Sequence, residues 1–295
     1  MRVIGWIAVA VLLAAASLQD PVKAVPPDEA SQAKKLESAF LAQDVHLDLA
    51  RGLCWIPVTI DVREDLLEYL LVNPKGAAHE SLFTTEVVPS SLNGALLALG
   101  VEPGRNAKWK PKEPPPSEEE VQNGALPYVV EPPAGDGFFL YAGWREGTET
   151  YFHRVDDLLR DLETGRSMRR HSWVFLGSRM VRMRTRNAAA RDGSSKESAT
   201  KAGASKEGAT KEVFAADVEG NLVNIAFFEE GNTLLTAALP ECLKQTIWLA
   251  NGWLLPRRGA PVALVFSRKP LEAPPAGMAS AFPEVAESSD GNGGR

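Results

Sequence analysis

The chain has 295 residues, of which 44% are hydrophobic and 24% are charged, and its formal net charge is -6. This length and composition suit one substantial globular core, and they exclude a fully disordered chain, a collagen, a coiled coil and a disulfide-dense miniprotein. The chain has 38 Asp and Glu against 32 Lys and Arg, so it lacks the overall positive charge that is typical of nucleic-acid-binding proteins. We therefore predict no nucleic-acid partner.

The N-terminus has the pattern of a secretory signal peptide. Arg2 precedes an apolar run from Val3 to Ala16, and the small residues at the end of the run suit cleavage. The alternative is an uncleaved membrane anchor, but the run is shorter than the roughly 20 residues that a spanning helix needs. We predict a signal peptide over residues 1–17, an exported protein of the periplasm or cell envelope, and no transmembrane span after cleavage.

Past the signal peptide, the sequence divides into one predicted domain and flanking segments that lack an apolar period. Residues 18–44 are predicted to be a linker, or at most a marginal helix, and residues 269–295 a disordered tail rich in Pro, Gly, Ser and acids. Residues 45–268 form the domain. Two predicted non-core segments interrupt the domain. They are a Pro-rich extended loop over 111–133 and a solvated low-complexity insertion over 188–212.

Strand-like segments dominate the predicted domain. They are apolar, rich in β-branched residues and bounded by turn residues. A tight turn at Gly220 predicts a hairpin between the fifth and sixth of them. The segments cover residues 53–62, 66–72, 138–144, 172–183, 213–218, 222–228 and 260–267.

Two helices fit the apolar spacing of an amphipathic helix. One begins at Ser90 or Ser91 and is stopped by Gly100, and the other carries Val155, Leu158, Leu159 and Leu162 and is stopped by Gly165. Because strands outnumber helices and the helices are interspersed among them, we predict an α+β fold. It is a mainly antiparallel sheet with two short packed helices, in one domain with a low-complexity insertion.

The two cysteines allow two interpretations. An oxidising compartment would permit a disulfide between Cys54 and Cys242. However, Cys54 lies in the apolar run Leu53–Ile56, which favours a small buried thiol. Two cysteines this far apart cannot by themselves hold an iron–sulfur cluster or a zinc ribbon.

The sequence contains no standard nucleotide-binding, serine-hydrolase, zincin or redox motif, and no cofactor is predicted. The nearest arrangement to a site is His79-Glu80-Ser81, which follows a predicted turn over residues 73–76. A His titrates near neutrality and a Glu can orient it, so general acid/base chemistry or metal ligation is physically possible. The alternative is that both side chains satisfy backbone groups of the turn.

A basic stretch from Arg166 to Arg186 contains seven arginines and no acidic residue. In an extended strand, Arg182, Arg184 and Arg186 share one face, where they present donors suited to carboxylate, sulfate or phosphate. The alternative is that they keep an exposed strand edge soluble.

Five segments resemble the YdjY-domain family of bacteria in order and spacing, across about Val45 to Phe266. The resemblance implies an exported bacterial domain whose biochemical role is not established. It also indicates four candidate site residues, because these residues lie within the matching segments. They are His79, Glu80, Ser81 and Asp217. Those segments are residues 74–83, 96–104, 173–178, 215–223 and 259–265.

These observations together predict a non-catalytic binding or interaction module of the cell envelope. Its predicted partner is an envelope component of unknown identity or a small anionic ligand. Besides the four residues raised by the resemblance, Arg182, Arg184 and Arg186 are the candidate binding residues. The alternative is a metal-dependent or acid/base enzyme that uses the loop of His79 and Glu80.

Overall fold

The computed structural model describes residues 27–184 and 210–286. The predicted signal peptide, Arg186 and most of the insertion predicted over 188–212 lie outside these residues. The described part is built mainly of strands, joined by four α-helices and short 3-10 turns. The elements are α1 (Pro27–Leu41), β1 (His46–Asp48), β2 (Leu53–Ile60), β3 (Tyr69–Val72), β4 (Ser81–Thr84), α2 (Pro89–Ala98), β5 (Lys108–Pro111), α3 (Glu118–Gln122), β6 (Tyr128–Glu131), β7 (Gly137–Glu146), β8 (Glu149–Arg154), β9 (Leu159–Asp161), β10 (Trp173–Phe175), β11 (Met180–Arg184), β12 (Thr210–Phe214), α4 (Ala215–Glu219), β13 (Asn221–Asn224), β14 (Leu235–Thr236), β15 (Trp248–Ala250) and β16 (Pro261–Ser267).

Eight of the strands form a closed barrel, in the order β2-β16-β7-β10-β14-β13-β3-β4. The barrel closes because β4 pairs back with β2, through Thr59 opposite Thr84 and Ile60 opposite Phe83. Neighbouring strands are antiparallel except β13–β14 and β3–β4, which are parallel. Strands β1 and β8 extend the sheet by pairing with β2 and β7.

Alternation along the strands fills the barrel with apolar side chains. In β2, Ile56, Val58 and Ile60 are buried, whereas Pro57 and Thr59 between them are exposed. The same alternation sends every second residue of β16 and β7 inward. An eight-stranded barrel is just wide enough for such side chains to fill it. The inward residues of these two strands are Val262, Leu264, Phe266, Phe138, Leu140, Ala142 and Trp144.

The predicted α+β fold with two packed helices is therefore wrong. Strand β4 pairs back with β2 at the other end of the strand order, so the sheet closes into a barrel. One predicted helix is present as α2, which buries Leu92, Ala95 and Leu96. The other is not: a 3-10 turn over Val155–Leu158 leads into strand β9, which pairs with β15. Helical spacing was misleading there because Leu162 is 56% exposed and does not belong to a buried face.

Further segments differ from the sequence predictions. Gly220 has the expected positive φ of 78°, but it ends α4 instead of forming a hairpin turn. The predicted strand over 172–183 is split into β10 and β11 at Gly177 and Ser178, which both have positive φ. Within the predicted linker, residues 27–41 form helix α1. The predicted Pro-rich loop contains helix α3, and the paired strands β5 and β6 flank it.

The C-terminal segment packs on the outer face of the barrel, although a disordered tail was predicted from residue 269. Phe282 is 1% exposed and stacks on Phe152, which in turn stacks on Tyr141. The Tyr141 hydroxyl accepts a 2.6 Å hydrogen bond from the backbone N–H of Leu271. Glycine is required at position 143 because a Cβ there would lie 2.5 Å from the Phe282 ring. We call residues 271–285 the C-terminal strap.

A buried ionic cluster joins β8 to the segment that precedes β10. The Asp156 side chain is fully buried and accepts hydrogen bonds of 2.9 and 2.7 Å from Nε and Nη2 of Arg154. Its other oxygen lies 2.8 Å from Nδ1 of His171. Arg154 also donates to the backbone carbonyl of His171 and lies over the Phe139 and Tyr141 rings. The carboxylate is thus paired and hydrogen-bonded, as a buried charge requires.

Both cysteines are buried free thiols, in agreement with the apolar surroundings of Cys54. Burial raises the pKa of the Cys54 and Cys242 thiols above the ordinary value, which keeps them protonated at neutral pH. In the described part of the chain, no helix has both the length and the apolar composition that crossing a bilayer requires.

Candidate functional site

A cleft of about 780 Å³ lies at the end of the barrel where β2 ends and β4 and β16 begin. Three connections form its walls: the loop after β2, the 3-10 turn before β4 and the loop before β16. His79 lines it together with Arg257 and Arg258 on one side and the 61–65 loop on the other. Loops at the end of a rigid barrel are where such folds present polar chemistry.

A second depression of about 320 Å³ adjoins this cleft, because Arg63 and Glu64 line both. It is also lined by Arg160 of β9 and by Trp253 in the loop after β15. Trp253 is 92% exposed, the highest value among the large apolar side chains of the described residues. We call the joined surface the Arg–Trp cleft and define it by Arg63, His79, Arg160, Trp253, Arg257 and Arg258.

The loop that carries Trp253 is held in place by hydrogen bonds that residues before and after Trp253 make. Nη2 of Arg63 donates to the Gly252 carbonyl at 2.6 Å, and its Nε donates to the Pro256 carbonyl at 3.1 Å. In addition, Nδ2 of Asn251 donates to the Asp157 carbonyl at 3.1 Å. The backbone of the Trp253 loop is therefore held in place before any ligand arrives, which lowers the entropy lost on binding.

The arginines of the cleft differ in how they are paired. Arg63 contacts Glu64 at 2.6 Å, and Arg258 contacts Asp61 at 2.7 Å through a side chain that is 74% exposed. Arg160 and Arg257 have no ion-pair partner among residues 27–184 and 210–286. Two guanidinium groups thus remain available, and each can donate two parallel hydrogen bonds to one carboxylate or phosphate.

His79 and Glu80 lie together in the 3-10 turn over Ala78–Glu80. Nε2 of His79 lies 3.4 Å from Oε1 of Glu80, and the His79 side chain is 79% exposed. Glu68 is close by: burial, and then the charge of Glu80, raise the pKa of its carboxyl, while His79 acts in the opposite direction. The turn therefore brings the imidazole of His79 to a carboxylate, as acid/base chemistry would require.

The other two residues raised by the family resemblance take up structural positions. The Ser81 side chain is buried in β4, where its hydroxyl donates to the Phe83 carbonyl at 2.9 Å. The Asp217 carboxylate accepts a 2.8 Å hydrogen bond from the backbone N–H of Ser90, so it stabilises the N-terminus of α2. Asp217 lines a different depression from His79, and the structure does not bring the two together.

Three arginines of the predicted basic stretch pair with acidic side chains from elsewhere in the chain. Arg169 makes two 2.8 Å hydrogen bonds to Glu241, and Arg170 binds Asp157. In β11, Arg182 lies opposite Glu212 of β12 and contacts it at 3.2 Å. Arg184 lies on the same strand, two residues further on. Arg182 is thus engaged in a cross-strand pair.

Trp253, Arg160 and Arg257 are not among the site residues predicted from the sequence. A signal was present in Gly252-Trp253 followed by Arg257-Arg258, an aromatic residue and two adjacent cations in one connection between strands. Arg160 gave no such signal, because β9 brings it to the cleft from a distant part of the chain.

The described residues contain no group of three or more His, Cys, Asp or Glu side chains that could hold a metal ion. No family model, no curated protein and no solved structure matches the chain. The membership in the YdjY-domain family stays a prediction. The fold and cleft define a closed barrel with arginine, acidic and aromatic side chains at the surface of one end.

Proposed function

We propose that the protein is an exported binding module of the cell envelope that binds anionic groups of a ligand in the Arg–Trp cleft. The observation that carries this proposal is the 92% exposure of Trp253 beside Arg160, which has no acidic partner in the described residues. Trp side chains are enriched at binding surfaces, and the backbone of this loop is held by hydrogen bonds from Arg63.

The charges beside Trp253 give the expected sign of the ligand. Arg160 and Arg257 each keep all their side-chain donors free of acidic partners in the described residues, and Arg258 is held only by an exposed pair. Exposed pairs contribute little, so an incoming anion can compete for Arg258. A carboxylate, sulfate or phosphate group matches this arrangement of donors.

The binding proposal is tested by titrating the purified protein with inorganic phosphate, sulfate and malonate while following the indole N–H signal of Trp253 by NMR. The signal is assigned with Trp253→Phe. We expect at least one anion to shift it, and Arg160→Gln to weaken that anion's binding about tenfold, the effect of losing one charge-assisted interaction. Arg182→Gln is the control, because its exposed arginine lies on β11. The absence of any shift would contradict the proposal.

The alternative function is a metal-dependent or acid/base enzyme that uses His79 and Glu80, and the 3.4 Å contact between the two side chains favours it. Elemental analysis of the purified protein tests the metal-dependent form. A stoichiometric metal that is lost in both His79→Gln and Glu80→Gln would establish this alternative against the binding module. Export itself is tested by N-terminal sequencing of the secreted form, in which an intact Met1 would contradict signal-peptide cleavage.

A further inference from the structure

The Arg–Trp cleft has the dimensions of a site for an extended ligand. Its two depressions measure about 780 and 320 Å³ and share Arg63 and Glu64, so they form one continuous surface from Arg257 to Trp253. A single small anion would fill only a fraction of this space, since sites for drug-sized ligands occupy roughly 300–1,000 Å³. The shape favours several linked units over one.

The cleft alternates positive and negative side chains. Asp61, Glu64 and Asp65 line it among the arginines. A ligand that carries only anionic groups would leave these carboxylates without hydrogen-bond donors. A polymer that carries one carboxylate per ring and several hydroxyls fits better. The arginines bind its carboxylates, and the acidic side chains accept hydrogen bonds from its hydroxyls.

Trp253 supplies the remaining element of such a site. Its indole is exposed on the outer part of the cleft, next to Arg160, and its loop is fixed by Arg63. A flat aromatic face packs against the C–H face of a sugar ring, and the adjacent cation can bind a carboxylate on the same ring.

We propose that the ligand of the Arg–Trp cleft is an acidic polysaccharide whose sugars carry carboxylates, with one sugar ring stacked on Trp253. This inference rests on the proposed function and specifies its ligand class. It assigns Arg257 and Arg160 to carboxylates on different sugar units, because they line different depressions.

Calorimetric titration of the purified protein with polygalacturonic acid, galacturonic acid, neutral dextran and single-stranded oligothymidylate tests the inference. We expect polygalacturonic acid to bind at least tenfold more tightly per ring than galacturonic acid, and dextran and oligothymidylate to bind more weakly than either. Trp253→Ala and Arg257→Gln should each weaken polymer binding about tenfold. Trp253→Phe should retain most of it, and Arg182→Gln should leave it unchanged.

Three outcomes would overturn the inference while leaving the proposed function in place: tighter binding of oligothymidylate, equal binding of the sugar acid and its polymer, or polymer binding that is unaffected by Trp253→Ala. If neither the sugar acids nor the small anions of the preceding NMR titration bind, both the inference and the proposed function fail. Circular dichroism of each variant confirms that lost binding does not come from unfolding.

Discussion

Two adjacent aspartates show how burial changes what an ion pair contributes. Asp156 is fully buried and is paired with Arg154, whose side chain is 10% exposed. Asp157 is 26% exposed and is paired with Arg170, which is 65% exposed. Removing one partner of a buried pair leaves an uncompensated charge, whereas water solvates the remaining partner of an exposed pair.

We therefore expect Asp156→Asn to lower the free energy of unfolding by about 3–5 kcal/mol, the usual effect of breaking a buried pair. Asp157→Asn is the matched control, and its effect should be at most about 1 kcal/mol. Urea denaturation followed by circular dichroism measures both. Equal effects of the two substitutions would show that the Arg154 guanidinium is solvated after all.

The His153 imidazole gives a pH dependence of stability. Burial lowers its pKa below the ordinary value of 6.5, and the charge of Asp157 offsets this only in part. The unfolded chain thus binds more protons than the folded one between the two pKa values. Stability is full above pH 6.5 and falls as the pH decreases through the folded pKa.

We expect the wild type to lose more unfolding free energy than His153→Gln between about pH 7 and pH 5, because only the wild type must protonate this half-buried ring. Denaturation curves of both proteins, measured in the same buffers across this range, give the difference directly. Parallel pH profiles would exclude a contribution from His153.

At the scale of elements, apolar spacing correctly predicted a helix or strand where one face of that element is buried. Leu92 and Leu96 of α2 follow helical spacing, and the alternation in β2 and β16 reflects an inside and an outside. Barrel closure was not predictable because it depends on pairings such as β4 with β2, and no pattern in the sequence of either strand indicates its partner. Trp253 was missed for a similar reason: an apolar residue predicts burial unless its surroundings are known.

The C-terminal strap and the barrel wall are coupled through Gly143 and Phe282. A Cβ at position 143 would overlap the Phe282 ring, so Gly143→Ala should displace the ring and destabilise the fold by about 1–3 kcal/mol. Phe282→Ala should cost about 3–5 kcal/mol through the lost packing. The double variant should be less destabilised than the sum, since the clash needs both side chains. Additive effects in denaturation would contradict this coupling.

At the scale of the whole molecule, the barrel is joined by contacts between distant parts of the sequence. Thr59 of β2 pairs with Pro261 of β16, and β16 also pairs with β7. The two-stranded ribbons β5–β6 and β11–β12 form separate sheets outside the barrel. Such ribbons bury less than the barrel and open at lower free energy.

Hydrogen exchange measured by mass spectrometry should therefore show two classes of backbone amide. Those of β2, β7 and β16 should exchange only through global unfolding, while those of β5–β6 and β11–β12 should exchange at least tenfold faster through local opening. Asp156→Asn should accelerate the first class most, because it lowers global stability. Uniform protection across both classes would mean that the ribbons unfold together with the barrel.

The position of β16 between β2 and β7 also sets an order of events during synthesis. A ribosome makes β16 after every other strand of the barrel, and without β16 the barrel has an open seam between β2 and β7. The nascent chain consequently cannot complete its barrel until β16 has been translated.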